Sequence, residues 1–453
     1  MRMRLFFLTC LVVGASLFCF TQPVSCAEKP ANVILITVDC LRADHLGCYG
    51  YQRDTSPNID KLARDGVVFR QAIAQSSHTV TSFGTIFTSN LPPKHLFFKW
   101  GSILNAGLPT LAEVLQQHGY ATLFICSDGQ ALKGFNRGFD QFLGGDIDAF
   151  EIMGKMASFI KLHPGKPFFI WAHYMPPHAP YYPSIPKKYK RLFRNDALSN
   201  IHKPLPIIPY TLGGFCYGGI PDLVAKRYGG ANNPDLYVAQ YDRAIRFVDN
   251  EIGRIMSMLK KKGLAKDTVM IITADHGELL GEHGYYFHHG WFLYEPLLRV
   301  PLIFSGGRVI SEPRALSCPV SAHASLAPTI IDIAGAVKPG QMEGSSLLDA
   351  LRNGTEQCGA FILSDEGFTV KSVRNGDWKL IYNSRNVKQP YELYDIKEDP
   401  QELNNLYLAN KDEGRRLQPV LDAYEQKGAA YNKREAALEA AIKERLRSLG
   451  YAQ

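Results

Sequence analysis

A chain of 453 residues has room for one large α/β domain and a smaller appendage. Its formal net charge of +7, falling to +5 with the loss of Arg2 and Arg4, is too mild for a nucleic-acid binder that neutralises many phosphates. Of nine cysteines, Cys10, Cys19 and Cys26 fall in the first 27 residues, leaving Cys40, Cys48, Cys126, Cys216, Cys318 and Cys358. Six in an oxidising compartment permit up to three disulfides in any of 15 pairings.

Met1-Arg2-Met3-Arg4, the apolar run Leu5 to Phe20 and the small residues Ser25-Cys26-Ala27 read as a secretory signal peptide over residues 1–27. The 16 apolar residues are short for a bilayer core that needs roughly 20. The expected location is therefore periplasmic or secreted, with no stable membrane span once the signal is removed. Lipid attachment at Cys26 is an alternative that Pro23 disfavours.

Next comes an aliphatic strand at 33–38, ending in Asp39. The Ser/Thr cluster of Ser77, Thr79, Thr81 and Ser82 precedes a helix expected from Ser82 to Ser89, so backbone N–H groups would face an anion beside Thr79. Capping of that helix is the plainer use of the cluster, and Thr81 is the fallback if the register is off by two. Further strands are expected at Ala121 to Cys126 and Phe168 to Ala172, the latter leading into His173 and Pro176-Pro177-His178-Ala179-Pro180. The stretch from Tyr181 to Asn233 is rich in Pro, Gly, Tyr and basic residues and lacks a sustained period, so it reads as an insertion walling a cleft.

Val238, Tyr241, Ile245, Val248, Ile252, Ile255 and Leu259 recur every three or four residues and define a helix stopped by Gly263. It reads as scaffold. The basic runs 187–191 and 260–262 read as solvated surface. A strand at 269–274 then ends in Asp275-His276-Gly277. Aspartates can simply cap helices, but capping has no use for His276; two carboxylates and an imidazole at the ends of two strands suit a divalent cation.

A strand at Pro301 to Phe304 completes the βαβ pattern. After about residue 355, Thr369 to Arg374, the turn Asn375-Gly376 and Trp378 to Tyr382 signal a hairpin, and a charged helix is expected from Asp412 to Leu449. The fold class is thus α/β, a mainly parallel sheet sandwiched by helices with a small C-terminal antiparallel sheet and helix. The domains are 28–355, carrying the catalytic site, and a C-terminal subdomain at 356–453.

The chain resembles the sulfatases of the alkaline phosphatase superfamily. The likeness rests on Asp39 to Gly50, Thr55 to Asp60, His173 to Tyr181, Asp275 to Gly284, Leu293-Tyr294-Glu295 with Arg299-Val300-Pro301, and Tyr391 to Asp395 with Asp399-Pro400. It implies Asp39, Asp275 and His276 as ligands of one divalent cation, Ca²⁺ by resemblance, with Mn²⁺, Mg²⁺ or Zn²⁺ also compatible with carboxylate, imidazole and hydroxyl donors. Thr79 would complete this set and act as nucleophile; His178 and His289 would serve catalysis at the ester oxygens, and His173, His178 and His289 substrate binding.

The chain departs from the family in three places. Cys40 stands where a second Asp is usual. Thr79-Val80-Thr81-Ser82-Phe83 replaces the C/S-x-P-x-R motif, so no formylglycine is expected. Ser127-Asp128 stands where many sulfatases have a lysine, which weakens the anion clamp.

The leading expectation is an exported, metal-dependent sulfuric ester hydrolase acting on a small-molecule or glycan sulfate ester. Absence of the formylglycine motif raises a second, a threonine-nucleophile phosphodiesterase or phosphotransferase. A third is an inactive binder of anionic glycans, opposed by the retained metal-ligand cluster. Oligomeric state is left open.

Overall fold

The computed structural model describes residues 30–98, 102–127, 135–145, 147–181, 186–193, 203–210, 217–367 and 369–448. The signal-peptide residues, Asp128 and Cys216 lie outside these. The central strand β1 (Asn32–Val38) is aliphatic and β-branched, favours extended chain, and is buried along its whole length, as a strand covered on both faces must be.

With β2 (Gly66–Phe69), β3 (Ala121–Cys126), β4 (Gln141–Leu143), β5 (Phe168–Tyr174), β6 (Thr268–Ala274), β7 (Leu302–Gly306) and β8 (Arg314–Leu316), it forms an eight-stranded sheet. The order is β8-β2-β7-β6-β1-β5-β3-β4. Five of the expected strands are present. The sheet is parallel from β6 through β4, whereas β7 runs antiparallel to both β6 and β2.

Helix α1 (Pro57–Arg64) follows β1, and α2 (Thr79–Thr88) packs on α3 (Ala322–Ile333). Helix α2 starts at Thr79, three residues earlier than expected, because Thr79 to Ser82 already take helical geometry beneath the extended His78. The aromatic rings of Phe83 and Phe87 meet Trp171 from β5, which fixes the helix against the sheet. Before the 28-residue helix Pro234–Lys261, the Asn233 side chain accepts a hydrogen bond from the Asp235 amide, and Gly263 lies beyond its end at φ +71°. All seven periodic residues of this helix are buried.

The 181–233 stretch carries the short strands Ile207–Ile208 and Ile220–Pro221 and the helical turns Lys187–Arg191 and Asp222–Lys226 among its described residues. Among the described cysteines one disulfide joins Cys318 to Cys358, while Cys40, Cys48 and Cys126 carry thiols, Cys40 and Cys126 being buried near strand ends of the main sheet. Among the described residues no helix is long and apolar enough to cross a membrane.

The C-terminal sheet is antiparallel in chain order, β9 (Ile362–Glu366), β10 (Val370–Asn375), β11 (Trp378–Asn383) and β12 (Tyr391–Asp395). Gly376 takes φ +61° in the turn read from Asn375-Gly376. Leu417 and Leu421 of the final helix, Lys411–Ser448, pack on Val373, Leu380 and Leu393.

A buried ion cluster ties this sheet to the main domain. Glu295 meets Arg374 Nη1 at 2.6 Å and Lys379 Nζ at 3.1 Å, and Lys379 also meets Glu402 at 2.8 Å. Removing one partner from such a cluster leaves a buried charge uncompensated, at a cost of about 3–5 kcal/mol. Lys379→Met is expected to lower unfolding free energy by about that amount in urea titration; a loss below about 1 kcal/mol would refute the anchoring role.

Candidate active site

The site begins with strand register. Val38 on β1 pairs with Tyr174 on β5 and with Ala274 on β6, so the chain emerges from three neighbouring parallel strands at one level. Asp39 continues the ladder by donating its N–H to Tyr174 O at 2.9 Å, and Asp275 follows Ala274 directly. Asp39, Asp275 and His276 are each at most 1% exposed.

His276 Nε2 lies 3.7 Å from Asp39 Oδ1, 3.5 Å from Asp275 Oδ2 and 3.2 Å from Thr79 Oγ1. Its Nδ1 faces the Gly277 carbonyl at 2.9 Å; an N–H donated there leaves the Nε2 lone pair directed at the two carboxylates. Gly277 is required at this turn, since a Cβ would collide with the Pro296 carbonyl oxygen. Thr79 therefore joins the cluster, whereas the Thr81 hydroxyl donates to the Phe98 carbonyl at 3.3 Å.

Asp39 Oδ1 and Asp275 Oδ2 are buried without a hydrogen-bond partner. Two orphaned carboxylate oxygens beside an imidazole lone pair and a hydroxyl fit a divalent cation, which these residues would hold. The electrostatics agree. Burial opposes the charge of Asp39, but His178, His276 and His173 hold its carboxyl well below the usual range. Burial and then the charge of Asp39 push Asp275 up, and His276 is raised against burial by Asp275 and Asp39.

His173 lies beneath the cluster. It lies 1% exposed under Asp39, with Nδ1 2.9 Å from Thr37 Oγ1 and Nε2 3.7 Å from Asp39 Oδ2. Thr37 Oγ1 accepts from Trp171 Nε1–H at 2.9 Å, and a Thr37 proton donated to His173 Nδ1 directs the ring's Nε2–H at Asp39. The His173 ring thus props Asp39 from below.

His178 and His289 face each other with ring centroids 4.9 Å apart, and His289 stands 4.7 Å from the His276 ring. Burial, then His276 and His178, push His289 well below its ordinary range. Glu278 Oε1 lies 3.1 Å from His289 Nδ1, while burial raises the Glu278 carboxyl to about 7 against the pull of His178 and His276.

Sequence reading missed Glu278, although the sequence Asp275-His276-Gly277-Glu278 held the signal. It also treated the Pro234–Lys261 helix as remote scaffold. Tyr241 of that helix donates its hydroxyl to the Cys40 carbonyl at 2.6 Å and accepts the Arg42 amide at 2.9 Å, clamping the turn in which Cys40 takes φ +58°. Glu366 of β9 is a third omission. Its Oε2 accepts hydroxyls of Ser76 at 2.9 Å and Ser77 at 3.0 Å, holding the loop ahead of Thr79.

The sulfatase family profile matches residues 31–336, and the profile for the C-terminal part of N-sulphoglucosamine sulphohydrolase matches 281–426. The chain belongs to the sulfatase family of the alkaline phosphatase superfamily. It is 24% identical to the N-acetylglucosamine-6-O-sulfatase of Bacteroides thetaiotaomicron over 87% of this chain and 86% of that protein. It is 27% identical to human iduronate 2-sulfatase, over 68% of this chain and 64% of that protein. A solved structure in complex with its substrate D-glucosamine-2-N,6-O-disulfate superposes with a TM-score of 0.72 at 22% identity, covering 89% of this chain and 99% of that one.

Tyr241→Phe removes two buried hydrogen bonds from the Cys40 turn. The expected loss is about 1–3 kcal/mol in urea unfolding, with weaker divalent-cation binding by calorimetry. Unchanged values for both would show that the turn holds without the clamp.

Proposed function

We propose that this protein is an exported, metal-dependent hydrolase of sulfate esters carried on a sugar, with Thr79 as nucleophile. The observation that carries the reading is the convergence of Thr79, at the start of its helix, with Asp39, Asp275 and His276 at the ends of parallel strands, in a chain of the sulfatase family. The sulfated-sugar class is supported by the names of the relatives, and export by the pattern of residues 1–27.

A divalent cation, when bound, supplies charge neutralisation of the ester's anionic oxygens and lowers the barrier to attack. Asp39, Asp275, His276 and the Thr79 oxygen would hold it. The chain's own residues do the rest. Thr79 sits at the first position of its helix, so first-turn amides face the anion. Its Oγ bonds to sulfur as the hydroxyl proton passes to water, and the sulfur–oxygen bond to the leaving alcohol breaks with its electron pair on that oxygen. The departing alcohol takes up a proton on the side where His178 and His289 present ring nitrogens.

The Thr79 sulfate ester is then opened by water, which restores the hydroxyl and releases sulfate. A formylglycine hydrate would expel sulfate with its second hydroxyl; threonine has none, so the water step is obligatory here. That same fact favours a second reading, a phosphate ester hydrolase or phosphotransferase, in which a threonine ester is opened by water or by an acceptor alcohol.

A panel of 4-nitrophenyl sulfate, phosphate monoester and phosphodiester on the full chain separates the two. Turnover of the sulfate is expected, with divalent cation required and activity abolished in Asp275→Asn; phosphodiester turnover alone would install the second reading, and no turnover of any ester would point to a binding protein. Thr79→Ala is expected to lower kcat by at least about 10³-fold, and quenched peptide mass analysis to find the adduct on Thr79 in the unaltered enzyme. An unchanged rate in Thr79→Ala would remove that residue from the mechanism.

A further inference from the structure

Beside the Asp39, Asp275 and His276 cluster lies a second group of donors with a different chemistry. Cys40 Sγ and one ring nitrogen each from His178 and His289 lie within 4.8 Å of one another. The Cys40 sulfur is 3.6 Å from His289 Nδ1. An ion with metal–sulfur bonds of about 2.3 Å and metal–nitrogen bonds of about 2.0 Å in tetrahedral geometry sets those two atoms about 3.5 Å apart, close to the separation seen.

Two further observations bear on the same point. Glu278, fully buried, brings Oε1 to 3.1 Å from the same His289 nitrogen and leaves Oε2 without a hydrogen-bond partner. An unpaired buried carboxylate calls for a cation or a proton. His178 Nδ1 faces the Ala179 carbonyl at 2.5 Å, so an N–H donated there leaves Nε2 as the donor atom for an ion.

We propose that Cys40, His178 and His289 bind a second, softer divalent cation, Zn²⁺ in type, next to the oxygen-rich site, with Glu278 as its flanking carboxylate. One thiolate and two imidazoles suit zinc, and three protein ligands leave a fourth position for water or a substrate oxygen. Cys40 loses its thiol proton to solvent on binding, and the thiolate with the Glu278 carboxylate offsets the ion's two positive charges. Cys40 Sγ also lies within 4.8 Å of Asp39 and His276 donor atoms, so the two ions would be near neighbours. Two-metal centres at such spacing clamp the attacking and leaving oxygens of an ester.

This deepens the ester-hydrolase reading and rests on it for its catalytic meaning, with His178 and His289 acting as ligands in place of facing the leaving alcohol's proton, but the ion count does not depend on turnover. Equilibrium dialysis of the full chain against Zn²⁺, followed by elemental analysis, is expected to give two ions per chain, one in Cys40→Ser combined with His289→Gln, and one in Asp275→Asn. Because Cys40 is buried and its substitution can unsettle the fold, the unaltered protein carries an independent readout: Co²⁺ loading is expected to produce a thiolate-to-metal charge-transfer absorption in the near ultraviolet. One ion per chain with no such band overturns the proposal and leaves the ester-hydrolase reading intact. Two ions with the band, but no turnover of any ester, sinks the catalytic reading and upholds the second site.

Discussion

The pairing register of three parallel strands is the constraint on which the site depends. Because Val38, Tyr174 and Ala274 stand level, the chain releases Asp39 and Asp275 side by side at the carboxyl ends of adjacent strands, over two hundred residues apart in sequence. A slip of one residue in either pairing would send the carboxylates to opposite faces. The near-continuous apolar character of these strands, which buries both faces, makes such a slip costly. Core packing and the placement of the two carboxylates are therefore one specification.

The structure concentrates charge where burial opposes it. Asp39 and Asp275 repel each other in a dry setting, with His276 between them and His173 below. A cation in this space would relieve the repulsion, so metal binding and local stability are linked. The cluster of Glu295, Arg374, Lys379 and Glu402 instead satisfies its charges internally, which suits a joint between parts of the molecule.

Much of this was legible beforehand. Strand positions followed from aliphatic runs, the long helix from its 3.6-residue period, and the hairpin from Asn375-Gly376, because each is a local pattern. Asp39, Asp275 and His276 could be named because polar residues that end buried strands have few structural uses. The antiparallel sense of β7 was not legible, since an apolar strand reads alike in both directions. Nor was the placement of His173, which depends on a hydroxyl contributed by β1 and an indole from its own strand. Tyr241 was read correctly as buried, but its hydroxyl was overlooked: periodicity reports which face is covered and is silent on the atom at the ring's far end. Glu278 and Glu366 escaped because a buried glutamate is defined by its distant partners.

Glu366 carries a consequence for the chain's organisation. Composition suggests a boundary near residue 355, yet this glutamate, on the first strand of the C-terminal sheet, fastens Ser76 and Ser77 immediately ahead of Thr79. The sheet is therefore part of the support that positions Thr79. A fragment trimmed at the compositional border would keep every proposed ligand of the oxygen-rich cluster and still lose the brace ahead of Thr79, so the two segments depend on each other mechanically.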